Sequence, residues 1–93
     1  MTLKEARDVL RVDAGANDDL ISSLIAALPG YIEVATGMGE EQQAMEPLAD
    51  TVGGFLLRLW YFSEHADNVK LQRAIDDLLK CLTLKARAGG DGA

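Results

Sequence analysis

Apolar residues recur along this chain at helical spacing in four runs, and no stretch alternates as a strand would. Thr2 followed by Glu5 reads as a capping box, and Leu3, Ala6, Val9 and Leu10 then mark one face of a short helix ending near Leu10 or Arg11. The segment Asp13-Ala14-Gly15-Ala16-Asn17 breaks the period, and Gly15 gives the turn its backbone freedom. Asn17 or Asp18 can cap a second helix, with Asp18 and Asp19 favourably placed at its N-terminal dipole.

In that second helix Ile21, Ile25, Leu28, Ile32 and Ala35 repeat at four-three spacing, with Leu20 and Leu24 widening the stripe. Pro29 removes one hydrogen bond and crowds the carbonyl of Ile25, and Gly30 adds looseness. A kink near Leu28, or two helices in tandem, is expected, with Gly37 as the stop. Met38 to Glu46 is polar and acidic and reads as a surface connection with at most a helical turn.

Pro47 suits the first turn of a third helix, whose stripe is Leu48, Val52, Phe55, Leu59 and Phe62. Leu56, Leu57, Trp60 and Tyr61 fill its remaining sides, so it is apolar nearly all round. Such a helix is buried on more than one side: it is the centre of the bundle, or it shares a face with another subunit. The expectation drawn from this pattern is that one subunit cannot hide the segment from Leu48 to Phe62, so that copies pack side by side. Gly53-Gly54 costs about 1 kcal/mol of helix propensity per glycine, which close approach of another backbone would offset.

After a connection from Ser63 to Asn68, with Asp67 or Asn68 as cap, a fourth helix carries Leu71, Ile75, Leu78 and Leu82, broadened by Leu79. Arg73–Asp77 and Asp76–Lys80 can pair along its outer side for a few tenths of a kcal/mol each. From Ala86 the chain reads ARAGGDGA, without apolar period. The expected architecture is all-α: a four-helix domain over residues 1–85 with a kinked second helix, and a flexible C-terminal tail over 86–93.

At 93 residues the chain makes one lean domain, and with aromatics at 5% its core must be aliphatic. Nine Lys and Arg face fifteen Asp and Glu, a net charge of -6. That balance disfavours tight binding to nucleic acid, which draws on phosphate neutralisation. Cys81, the one cysteine, excludes an internal disulfide, and its leucine neighbours suggest burial. No secretory signal is visible at the N-terminus. The strongly apolar stretch from Val52 to Leu57 is far too short to span a bilayer, and a soluble, cytoplasmically made protein is expected.

Candidate chemistry is sparse. His65, the single histidine, has no second histidine or cysteine near it in sequence, and Ser22-Ser23 has no histidine at a suggestive spacing. Asp76-Asp77 and Glu40-Glu41 are adjacent along helices and point in different directions. Asp13, Asp18 and Asp19 lack the further oxygen ligands and the bidentate glutamate of a calcium loop. No glycine pattern cradles phosphate. The reading is of a protein that is not an enzyme and holds no cofactor or metal. Trp60, Tyr61 and Phe62 cannot all face one interior, so at least one is expected at a rim or partner surface.

The order of parts resembles a known family. LRVD, an acidic loop, DDLISSLIAAL, YIEVATG, then FLLRLWYFSE and AIDDLLKCL together look like the phage gp6-like head–tail connector (adaptor) family. The likeness covers roughly Leu3 to Leu82. Pro29-Gly30 departs from it, standing where the family keeps good helix formers, and the link between the second and third helices is compact. The resemblance implies a structural protein of the virion neck, made in a bacterial host's cytoplasm. It would form a ring, dodecameric by resemblance, under the portal protein of a tailed phage or prophage, extend the DNA channel and dock the next neck or tail completion protein. DNA would be passing cargo, and no membrane is involved. Leu56, Leu57, Trp60, Tyr61, Thr83, Lys85 and Arg87 are the residues expected at subunit or partner interfaces, and Asp13, Asp18 and Asp19 those facing the channel. The alternative is a small acidic helical binding or carrier module of bacterial origin. An acyl-carrier site would need a serine at the helix start, where Asp18-Asp19-Leu20-Ile21 stands.

Overall fold

The computed structural model describes residues 1–63 and 68–91, all helix and connection, with no strand among them. Five helices follow in order: α1 (Leu3–Leu10), α2 (Asp18–Thr36), α3 (Glu40–Ala44), α4 (Pro47–Tyr61) and α5 (Asn68–Asp91). The fold is therefore all-α as expected, with one helix more than the four anticipated. The addition is α3, a five-residue helix that takes up most of the acidic connection.

Local chemistry sets the helix ends. At α1 the capping box is complete: Glu5 N–H donates to Thr2 Oγ1 at 3.1 Å, and Thr2 N–H donates to Glu5 Oε1 at 3.0 Å. Arg11 closes α1 in the left-handed region at φ 58°. Gly37, at φ 83°, ends α2 with its N–H donating to the Glu33 carbonyl at 2.7 Å. Pro47 opens α4 behind Glu46, whose carboxylate accepts from Leu48 N–H at 3.3 Å.

α2 is one continuous helix that includes Pro29, so a division into two tandem helices does not occur. The carbonyl of Pro29 accepts from Gln43 Nε2 of α3 at 3.0 Å, and the same amide donates to Met38 O at 2.7 Å. Gln43 thus ties α3 to the proline turn. Met38, expected on a surface connection, is instead fully buried in the main core. Thr36 makes that turn possible: its hydroxyl donates to Ile32 O at 2.6 Å and accepts from Met38 N–H at 3.1 Å.

α4 is the hub, packing against α1, α2, α3 and α5. The main core gathers Leu28, Ile32, Met38, Val52, Leu56, Ile75 and Leu82 from α2, α4, α5 and the α2–α3 link. A second core joins Ala6, Leu10, Ile21 and Leu57. Gly53 is buried, but what approaches it are side chains, Leu28 Cδ1 and Met1 Cε, rather than another backbone.

α5 does not stop at Lys85. Its backbone is helical to Asp91 and Ala86 is buried in the main core, so the expected boundary between domain and tail falls inside the helix. Cys81 is exposed, contrary to the burial its leucine neighbours suggested. At about 100° per residue it stands roughly a third of a turn away from the line of Ile75 and Leu82. His65 and the Asp67 cap lie outside the described residues.

Candidate interaction surface

The seven residues expected at an interface separate into three groups. Leu56 and Leu57 are fully buried, one in each core, and are removed from any surface. Their helix is enclosed by its four neighbours: Leu48, Phe55, Leu59, Trp60, Tyr61 and Phe62 are all half-buried, and no large apolar residue of α4 is exposed. The expectation that one subunit cannot hide α4 is thereby corrected. Of the two readings of its pattern, the central position in the bundle is the one the structure adopts.

Trp60 and Tyr61 form the second group, occupied within the fold but accessible at their edges. Trp60 meets Tyr31 of α2 edge-on, with ring centroids 5.4 Å apart. Tyr61 packs edge-on against Phe62 at 4.9 Å, and its hydroxyl accepts from Asn17 Nδ2 at 2.8 Å. The third group lies on α5. Thr83 is half-buried and donates to Leu79 O at 2.8 Å, a bond within its own helix. Lys85 reaches Glu46 Oε2 at 3.6 Å while its carbonyl accepts from Gln42 Nε2 at 3.2 Å, so both tie α5 to the α3–α4 corner. Arg87 is exposed and makes no ion pair with a described residue.

The three acids are not equivalent either. Asp18 is held by Arg7 Nη1 at 3.3 Å, a half-buried pair that pins α1 to the start of α2. Asp13 and Asp19 are exposed. Asp19 uses its carbonyl to accept from Ser23 Oγ at 3.1 Å, leaving the carboxylate to solvent. Among the described residues no group of three or more His, Cys, Asp or Glu is placed to hold a metal ion.

One uncovered apolar surface lies on α2, where periodicity alone did not point, while Met45, Val69 and Leu84 are exposed elsewhere. Leu20, Tyr31 and Val34 are 51%, 41% and 89% exposed, and at helical spacing they share one face with Ser23, Ala27 and Gly30. No charged residue interrupts α2 between Asp19 and Glu33. By length and composition it is the one described helix long and apolar enough to cross a membrane: 19 residues at a mean hydropathy of 1.2, with 22% of that window buried. A clue was available in sequence. The stripe of Ile21, Leu28 and Ile32 accounts for only one side of α2, and the opposite side carries charge only near its ends, at Asp19 and Glu33.

A cleft of about 540 Å³ lies beside this helix, between α2, α3 and α4, lined among others by Ile25, Ala26, Pro29, Ala44 and Gly53. A second of about 720 Å³ lies at the α4–α5 end, lined by Leu59, Trp60, Val69 and Arg73. The second also holds Gln72 and Asp76, joined by a hydrogen bond from Gln72 Nε2 to Asp76 Oδ1 at 2.9 Å. No family model matches the chain, and no curated protein or solved structure is significantly similar to it.

Proposed function

We propose that this protein is a structural assembly subunit: a head–tail connector of a tailed phage or prophage that rings beneath the portal, lengthens the DNA channel and docks the next neck protein. The observation that carries the reading is the outward face of α2. An 89% exposed valine and a 51% exposed leucine on one helix face of an acidic domain are what a subunit awaiting a neighbour presents. The order of helices and turns that resembles the connector family supplies the kind of assembly. Surplus acid supports it further, because negative charge repeated around a ring repels DNA phosphates and keeps cargo from sticking. The reading includes a bend of α2 at Pro29, and a segment from Ala86 onward that engages the portal or an adjacent subunit.

The test is electron microscopy and co-sedimentation of the purified protein with the portal encoded beside it. Ring density on the portal is expected. A protein that neither co-sediments with the portal nor lies in a phage structural gene cluster would favour the acidic adaptor alternative instead.

A further inference from the structure

α5 carries an outer face that complements α2. Val69, Arg73, Lys80, Leu84 and Arg87 recur at helical spacing on the side turned away from Ile75 and Leu82. Val69 is 71% and Leu84 65% exposed. Arg73, Lys80 and Arg87 are exposed, make no ion pair with any described residue, and outnumber Asp76 and Asp77, the exposed acids on the same side. The charge of the chain is segregated in the same sense. Residues 1–67 hold twelve acids against four Lys and Arg, whereas residues 68–93 hold five Lys and Arg against three acids.

The two faces match in length as well as sign. On α2 the apolar ends Leu20 and Val34 are fourteen residues apart, about 21 Å at 1.5 Å per residue. On α5 Val69 and Leu84 are fifteen apart, about 22 Å. Asp19 and Glu33 stand next to the α2 anchors, and neither makes an ion pair with a described residue. Between those anchors Ser23, Ala27 and Gly30 are small, which lets a facing helix come close.

We infer that the outer face of α2 in one copy docks on the outer face of α5 in the next. Pairing α2 with α2 would instead bring acid against acid in either direction, because Asp19 and Glu33 mark both ends. A lipid surface is a poorer occupant for the same reason: acids at both ends are repelled by anionic headgroups, and the inner face of α2 is committed to the cores. The α2–α5 contact joins two different patches, so a growing assembly keeps one α2 face and one α5 face free at its ends, and assembly proceeds head to tail. The inference stands whether or not the partner complex is a phage neck, although it supplies the contact such a ring would need.

Sedimentation velocity with two surface variants tests it. Leu20→Asp with Val34→Asp disables the α2 face, and Arg73→Glu with Lys80→Glu disables the α5 face; circular dichroism melting checks that both remain folded. The wild type is expected to grow in mass with concentration, and its association to weaken by roughly tenfold on moving from low to high salt. Each variant alone stays a monomer. Their equimolar mixture forms a 1:1 dimer of twice the 10.0 kDa subunit mass and grows no further, since one intact pair of faces remains. A wild type that is monomeric at every concentration overturns the inference, including one whose α2 binds anionic vesicles instead. So does an α5 variant that associates like the wild type, or a mixture that stays monomeric. Portal binding is read separately, so failure of the connector reading leaves this result intact.

Discussion

Asn17 Nδ2 donates to Tyr61 Oη at 2.8 Å, bridging 44 residues of chain. Asn17 occupies the N-cap position of α2, yet its side chain makes no capping bond and its backbone is left-handed at φ 56°. The amide that would ordinarily serve its own helix is turned instead to the C-terminal end of α4. Tyr61→Phe removes this bond without disturbing the ring contact with Phe62. Because the bond is exposed, the loss should be small, about 0.5 kcal/mol. Asn17→Ala should cost more, since alanine tolerates the left-handed conformation less well than asparagine. Urea denaturation of the two variants checks the order, and equal losses would place the whole effect in the hydrogen bond.

Leu57→Ala separates the core from the surface. Leu57 is fully buried among Ala6, Leu10 and Ile21, so truncation should destabilise the fold by about 2–5 kcal/mol. The dilute melting temperature should fall clearly. Val34→Asp, at 89% exposure, should leave the melting temperature of the dilute protein nearly unchanged. A reversal of these two outcomes would mean that α4, rather than α2, carries the outer face.

Gly53→Ala is expected to stabilise. A Cβ at this position would stand 3.7 Å from Leu28 Cδ1 and 3.8 Å from Met1 Cε, ordinary contact distances. The helix gains up to about 1 kcal/mol of propensity and pays no steric penalty. Thermal melting of the variant should show a rise, and a fall would reveal a closer approach at α4 than these distances allow.

Acid should loosen the start of α1. The Glu5 carboxyl is held below its ordinary value of 4.5, first by the Thr2 backbone N–H and then by the Thr2 hydroxyl. A depressed carboxylate contributes stability that is present above its unfolded pKa and lost as pH falls through the folded one. Glu5→Gln keeps an acceptor for Thr2 N–H but does not titrate. The advantage of the wild type over this variant should therefore shrink as pH is lowered through that window. Stability curves that stay parallel down to strong acid would show that the capping box gains nothing from the charge.

The chain itself determined where α1 begins, where α2 ends and where α4 begins. Thr2 with Glu5, Gly37 and Pro47 act through bonds and dihedral limits within a few residues, and each does in the fold what its local chemistry requires. The apolar stripes of α2, α4 and α5 were equally legible, since a 3.6-residue period needs no partner to be visible. What tertiary structure alone decided is how many sides of each helix are covered. Periodicity marked α4 as the helix with surplus apolar surface, but four neighbours enclose it, while α2 keeps an open face. Met38 entered the core and Cys81 stayed outside it for the same reason. A side chain's burial depends on what arrives opposite it from distant parts of the chain, and local spacing carries no record of that.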